Sequence, residues 1–203
     1  MQKGDYNLCE LHPTVFHLLK YYTYYDDESF EKLYKKDDLS GMLFAIHKRD
    51  VIQAYKDVFE YLTDDMKYKS FLNVYTRAEY NFRTLTIKIL EELKRLKPNS
   101  VIQKLSKYTD DKGFITIYRG ECTKSTSLNK SLSWTLDKEK AEWFARRFLL
   151  TGETGTVYTA KANIKNVIGF YSGREESEVI IRYKYLEPIS TDEVYYKNKE
   201  KAI

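Results

Sequence analysis

The 203 residues, 42% hydrophobic and 32% charged, hold enough apolar mass for one large domain or two small ones and exclude a disordered or fibrous chain. No apolar run approaches membrane-spanning length, and Met1-Gln2-Lys3-Gly4-Asp5 leads into no apolar secretion signal, so the expectation is a cytoplasmic protein without membrane attachment. Two cysteines, Cys9 and Cys122, make no disulfide framework, and a net charge of +4 is too small to establish nucleic-acid binding by itself.

The charge is unevenly placed. Residues 1–100 carry 16 basic and 16 acidic side chains, while residues 101–203 carry 18 and 14. Two of the eight glycines and one of the three prolines fall in residues 1–97, so little interrupts helices there. The spacing predicts helices over Thr14–Tyr25 and Glu28–Lys36. A third is expected through Val51, Tyr55, Val58, Phe59 and Leu62, with Asp50 as its cap. A fourth and longest is expected along one stripe from Phe71 through Val74, Tyr75, Phe82, Leu85, Ile89 and Leu93 to Leu96, stopped by Pro98-Asn99. Cys9, His12 and His17 lack the fourth ligand of a structural zinc site, and no metal site is read anywhere in the chain. Tyr21, Tyr22, Tyr24 and Tyr25 suit base stacking or ordinary packing.

The pattern changes after Asp110-Asp111-Lys112-Gly113, which reads as a turn. Composition places a boundary near residues 98–112, dividing a helical region (1–105) from a strand-rich one (106–203). Strands are expected at Phe114–Tyr118, around Leu132–Trp134, at Thr156–Ala162, Val167–Tyr171 and Val179–Tyr183, with a weak last one at Val194–Tyr196. Asp137 is placed to cap a helix through Ala141, Phe144, Ala145 and Phe148. In Glu176-Ser177-Glu178-Val179-Ile180-Ile181 the two carboxylates fall on one strand face, where they repel, an arrangement that structure alone rarely calls for.

Three fragments in this order, Tyr118-Arg119-Gly120, Ser133-Trp134-Thr135 and Glu176-Ser177-Glu178, resemble the signature of the mono-ADP-ribosyltransferases of the Arg–Ser–Glu type. The resemblance covers about residues 112–185 and leaves 1–100 undescribed. It implies an α+β fold, with the helical region followed by a core of two abutting antiparallel sheets, and NAD as substrate with no metal.

The resemblance assigns Glu178 to the cation that develops on the nicotinamide ribose as the glycosidic bond breaks. It assigns Arg119 to the NAD phosphates or adjoining ribose, and Ser133 to ordering Glu178 or the ribose. Tyr118, Gly120, Trp134, Thr135 and Phe144 complete the expected cofactor-binding set. Trp134, Phe144 and Tyr158 stand as alternatives for the nicotinamide wall, and Ser131 competes with Ser133. Glu176 and Tyr171 are read as acceptor-side residues, with protein arginine slightly ahead of an RNA or DNA base. Small members of this family act as toxins or in phage conflict, which brings in a neutralising partner. The alternatives are an NAD glycohydrolase and a non-catalytic module that binds NAD or a partner. The helical half shows no chemistry of its own.

Overall fold

A computed structural model describes residues 11–173 and 177–195. The chain divides into two compact units, one up to Leu96 and one from Lys97.

The first unit is helical: α1 (Pro13–Lys20), α2 (Asp27–Lys35), α3 (Leu39–Phe44), α4 (Val51–Val58), α5 (Asp64–Arg77) and α6 (Ile87–Leu96). Side-chain caps begin several of them: His12 accepts from Thr14 N, Asp26 from Ser29 N, Asp38 from Gly41 N and Thr63 from Met66 N. Asp50 stands at the cap position of α4 without a capping bond, its carboxylate engaged by Arg49 instead. Apolar residues including Val15, Leu19, Phe30, Ile52, Tyr55, Phe59 and Phe71 form the buried core. Within it Lys67 Nζ meets Glu92 Oε1 at 2.7 Å and lies 4.8 Å from the Phe59 ring centre.

The single long helix expected over Phe71–Leu96 is two helices. Ala78 turns extended (ψ 145°) and Asn81 adopts the left-handed region (φ 68°), where its short polar side chain is tolerated. α5 and α6 then pack on each other, so a stripe facing one core continues across the break. The Arg77 guanidinium closes α5 by donating to Leu43 O and Ile46 O, over the Phe44 ring.

The second unit carries α7 (Asn99–Ser106), β1 (Phe114–Glu121), β2 (Ser133–Thr135), α8 (Lys138–Arg146), β3 (Thr154–Asn163), β4 (Gly169–Tyr171), β5 (Glu178–Ile180) and β6 (Leu186–Tyr195). The fold is α+β, but the two expected sheets are one: the described strands form a single antiparallel sheet in the order β4-β5-β2-β1-β3-β6. The reason is local. One residue pair, Tyr118↔Thr135, joins β1 to β2 and so stitches two three-stranded halves together. β6 is longer than its sequence shows, because Pro188 interrupts the reading. The register passes from Ala160↔Ile189 to Lys161↔Glu187, leaving Pro188 unpaired in an edge strand where a missing N–H is tolerated. Lys97 Nζ donates to the carbonyls of Ile164, Lys165 and Val167, fixing the turn that leads into β4.

α8 lies across β1 and β3 through small residues. A Cβ on Gly120 would stand 1.9 Å from Ala141 O and 2.5 Å from Ala145 N, and one on Gly155 would stand 2.3 Å from Ala145 O. Ala141, Ala145, Val157 and Val194 form the buried cluster beneath the helix, with Tyr118 packed against it. The obstructing atoms at Gly120 are backbone and cannot swing aside. Gly120→Ala is therefore expected to lower the unfolding free energy by about 1–3 kcal/mol, an overpacking penalty, measured by urea denaturation. An unchanged midpoint would show that α8 does not sit this close.

Candidate active site

Beyond Tyr118↔Thr135 the strands β1 and β2 part, and Arg119 fills the gap. Its Nη1 donates to Ser133 O at 3.0 Å and its Nη2 to Thr126 O at 2.8 Å. A planar fork can bridge two carbonyls in this way, where an ammonium acts as a single point. Arg119 thus ties the polar loop after β1 to β2. Across the β1–β3 ladder it faces Tyr158. The Tyr158 phenol is pushed up first by burial and then by the Glu121 carboxylate, with Arg119 pulling the other way.

Ser133 and Thr135 alternate onto the same face of β2, and Glu178, which opens β5, pairs with Thr135. Ser133 Oγ donates to Glu178 Oε1 at 2.5 Å, a short bond of the charge-assisted kind. Ser131 is buried and donates to Leu128 O, away from the carboxylate. Thr135 is also buried, and its hydroxyl accepts from Asp137 N in the turn that starts α8. Asp137 in turn accepts from Glu139 N and Lys140 N as the α8 cap.

Arg119, Thr126, Ser133, Thr135 and Glu178 border a cleft of about 260 Å³ between the strands and α8. Among the described residues Arg119, Lys124 and Lys140 bring three cations to its walls, and Glu178 is the one carboxylate. The interior therefore favours an anionic ligand with a negative group of the protein at one chosen point.

The fragments read from sequence come together here: Tyr118, Arg119, Gly120, Ser133, Trp134, Thr135, Phe144 and Glu178 all border the cleft. Their contributions differ. Trp134 is 2% exposed, with its side chain alternating to the face opposite Ser133, so little of its ring is open to a ligand. Tyr158 is absent from the lining, so of the three rings expected as alternatives Phe144, 38% exposed, is the one open to the cleft, with Phe148 beside it. The close approach that Gly120 permits is to α8. Tyr171 stands opposite Glu178 in the β4–β5 pair. Glu176 lies outside the described residues, as does Cys9.

Comparison with protein-family models, curated proteins and solved structures gives no match. The reading of the site rests on its own geometry and on the motif resemblance.

Sequence reasoning missed Lys124, Ser125, Thr126, Lys140 and Phe148, all on the cleft. A Lys-Ser-Thr run two residues beyond an Arg-Gly-Glu strand end was the available signal. Lys140 gave none, being an ordinary surface lysine of a helix, and Phe148, in the turn after α8, continues an apolar spacing that resembles a buried helix face.

Proposed function

We propose that this chain is a mono-ADP-ribosyltransferase that cleaves NAD and passes ADP-ribose to a macromolecular acceptor. The observation that carries the reading is the Ser133 Oγ–Glu178 Oε1 contact of 2.5 Å beside the Arg119 fork. It fixes a carboxylate in a cleft whose other charged lining groups, among the described residues, are cations. In this reaction the bond from ribose C1′ to the nicotinamide nitrogen breaks and its electron pair leaves with nicotinamide, which becomes neutral. An acceptor lone pair closes on C1′, and the acceptor releases one proton to solvent.

Glu178 lowers the energy of the positive charge that spreads over C1′ and the ring oxygen, and Ser133 holds that carboxylate in place. Arg119, Lys124 and Lys140 supply positive charge for the two phosphates, and Phe144 gives an apolar wall for the nicotinamide ring. At about 260 Å³ the cleft is at the small end of ligand sites and accommodates one part of a dinucleotide rather than the whole.

The test is direct. The purified protein is incubated with NAD labelled in its adenylate portion and a cell lysate, and portions are digested with protease or nuclease. Label retained on macromolecules in the undigested portion is the expected result, and the enzyme that releases it names the acceptor class. NAD left intact would end the proposal. Free ADP-ribose with no labelled macromolecule would reassign the chain as a glycohydrolase.

A further inference from the structure

Helix α8 is built with small residues inside and large ones outside. Ala141 and Ala145 are buried against the sheet, while Trp143 (50% exposed), Phe144 (38%), Phe148 (44%) and Leu150 (69%) face solvent. Lys140, Trp143, Phe144, Arg147 and Phe148 recur at helical spacing and form one outward stripe continued into the following turn.

Cations lie over these rings. Lys140 Nζ stands 5.7 Å and the Arg147 guanidinium 5.1 Å from the Trp143 ring centre, with Arg147 4.8 Å and Lys124 5.3 Å from that of Phe148. The neighbouring Arg146 and Lys138 are held by Glu142 and Asp192. Lys124, Lys140 and Arg147 form no ion pair with an acid among the described residues. Three cations and three exposed rings thus share one surface, which runs into the cleft through Lys124, Lys140, Phe144 and Phe148.

We propose that this stripe docks a single-stranded nucleic acid and leads one of its bases to Glu178. The inference rests on the transferase reading for the role of the bound strand as acceptor. Two properties select the occupant. A strand offers regularly spaced negative charge and, between the charges, flat faces that stack on exposed rings without regard to sequence. An arginine-bearing peptide would bring positive charge to a surface that already carries three cations. An acidic peptide would satisfy the charge and leave the rings without flat partners. In the transfer, a ring nitrogen or exocyclic amine of the base gives its lone pair to C1′ and loses one proton, as nicotinamide departs with the electrons of the broken bond.

Docking is tested without NAD, by fluorescence anisotropy of labelled oligo(U) and oligo(dT) titrated with the full chain over a range of salt. Binding is expected with log K falling against log salt at a slope of about −2, as three cations neutralise phosphates of a single strand. Trp143 fluorescence should be quenched by either oligonucleotide, because the other tryptophan, Trp134, is buried. Trp143→Ala is expected to weaken binding about tenfold, within the range for one lost stacking partner. Trp143→Phe should retain most of it, and Arg147→Gln should flatten the slope by about 0.7.

Absence of binding at low salt, unaltered binding by Trp143→Ala in a folded protein, or equal affinity for polyglutamate would each overturn the proposal. NAD cleavage is followed in the same preparations. Cleavage without oligonucleotide binding refutes the docking surface and leaves the transferase reading standing, whereas binding without cleavage refutes the transferase reading alone.

Discussion

Glu178→Gln is expected to reduce NAD cleavage about 10²–10³-fold, the scale for removing one preorganised electrostatic contact to a transition state. The substitution preserves shape, and its amide oxygen still accepts from Ser133 Oγ, which lies 2.5 Å from the carboxylate. What disappears is the negative charge opposite the developing cation. Binding of NAD, measured by calorimetry, should remain within severalfold, because Arg119, Lys124 and Lys140 are untouched. Stability should fall by no more than about 1 kcal/mol, the difference between a charged and a neutral hydrogen bond. If expression of the chain arrests growth, as a toxin would, the same substitution should relieve it. Undiminished turnover would show that Glu178 is not the stabilising group.

The second large effect concerns the helical unit and is one of stability. Lys67→Met is expected to lower the unfolding free energy by about 3–5 kcal/mol, the cost of leaving one member of a buried ion pair without its partner. The Lys67 and Glu92 side chains are only 10% and 19% exposed and meet at 2.7 Å. Methionine keeps the apolar stem against Phe59 and strands the Glu92 carboxylate. Lys67→Met combined with Glu92→Leu should recover most of the loss, because two apolar side chains in place of a buried pair are often neutral or better. Urea denaturation of the four variants in a double-mutant cycle measures the coupling. Strictly additive losses would mean that the two charges do not sense each other.

Much of the second unit was legible because its signals are local. β1 and β3 read as strands, and Asp137 and the helix behind it as a cap and its helix. The contact of Ser133 with Glu178 is not local, and the motif resemblance offered it only as one of two partners for Ser133. The misreadings occurred where a local pattern has two solutions. A stripe from Phe71 to Leu96 fits one long helix or two packed ones, and the backbone angle of Asn81 decides between them. Phe144 and Phe148 have the spacing of a core face, and only the backbone contacts at Gly120 and Gly155 show that α8 turns its alanines inward. The union of two expected sheets into one depends on a single residue pair, Tyr118↔Thr135, too small a feature to leave a periodicity.

Seating α8 by backbone contact also separates two kinds of change. The sheet fits the helix through Ala141, Ala145 and two glycines, and none of these positions points outward. Trp143, Arg147 and Leu150 can therefore be exchanged for other residues without repacking anything beneath them. Such a helix acts as a fixed rail with a replaceable outer edge: a substitution on that edge changes the surface it presents and leaves its seat on the sheet as it is.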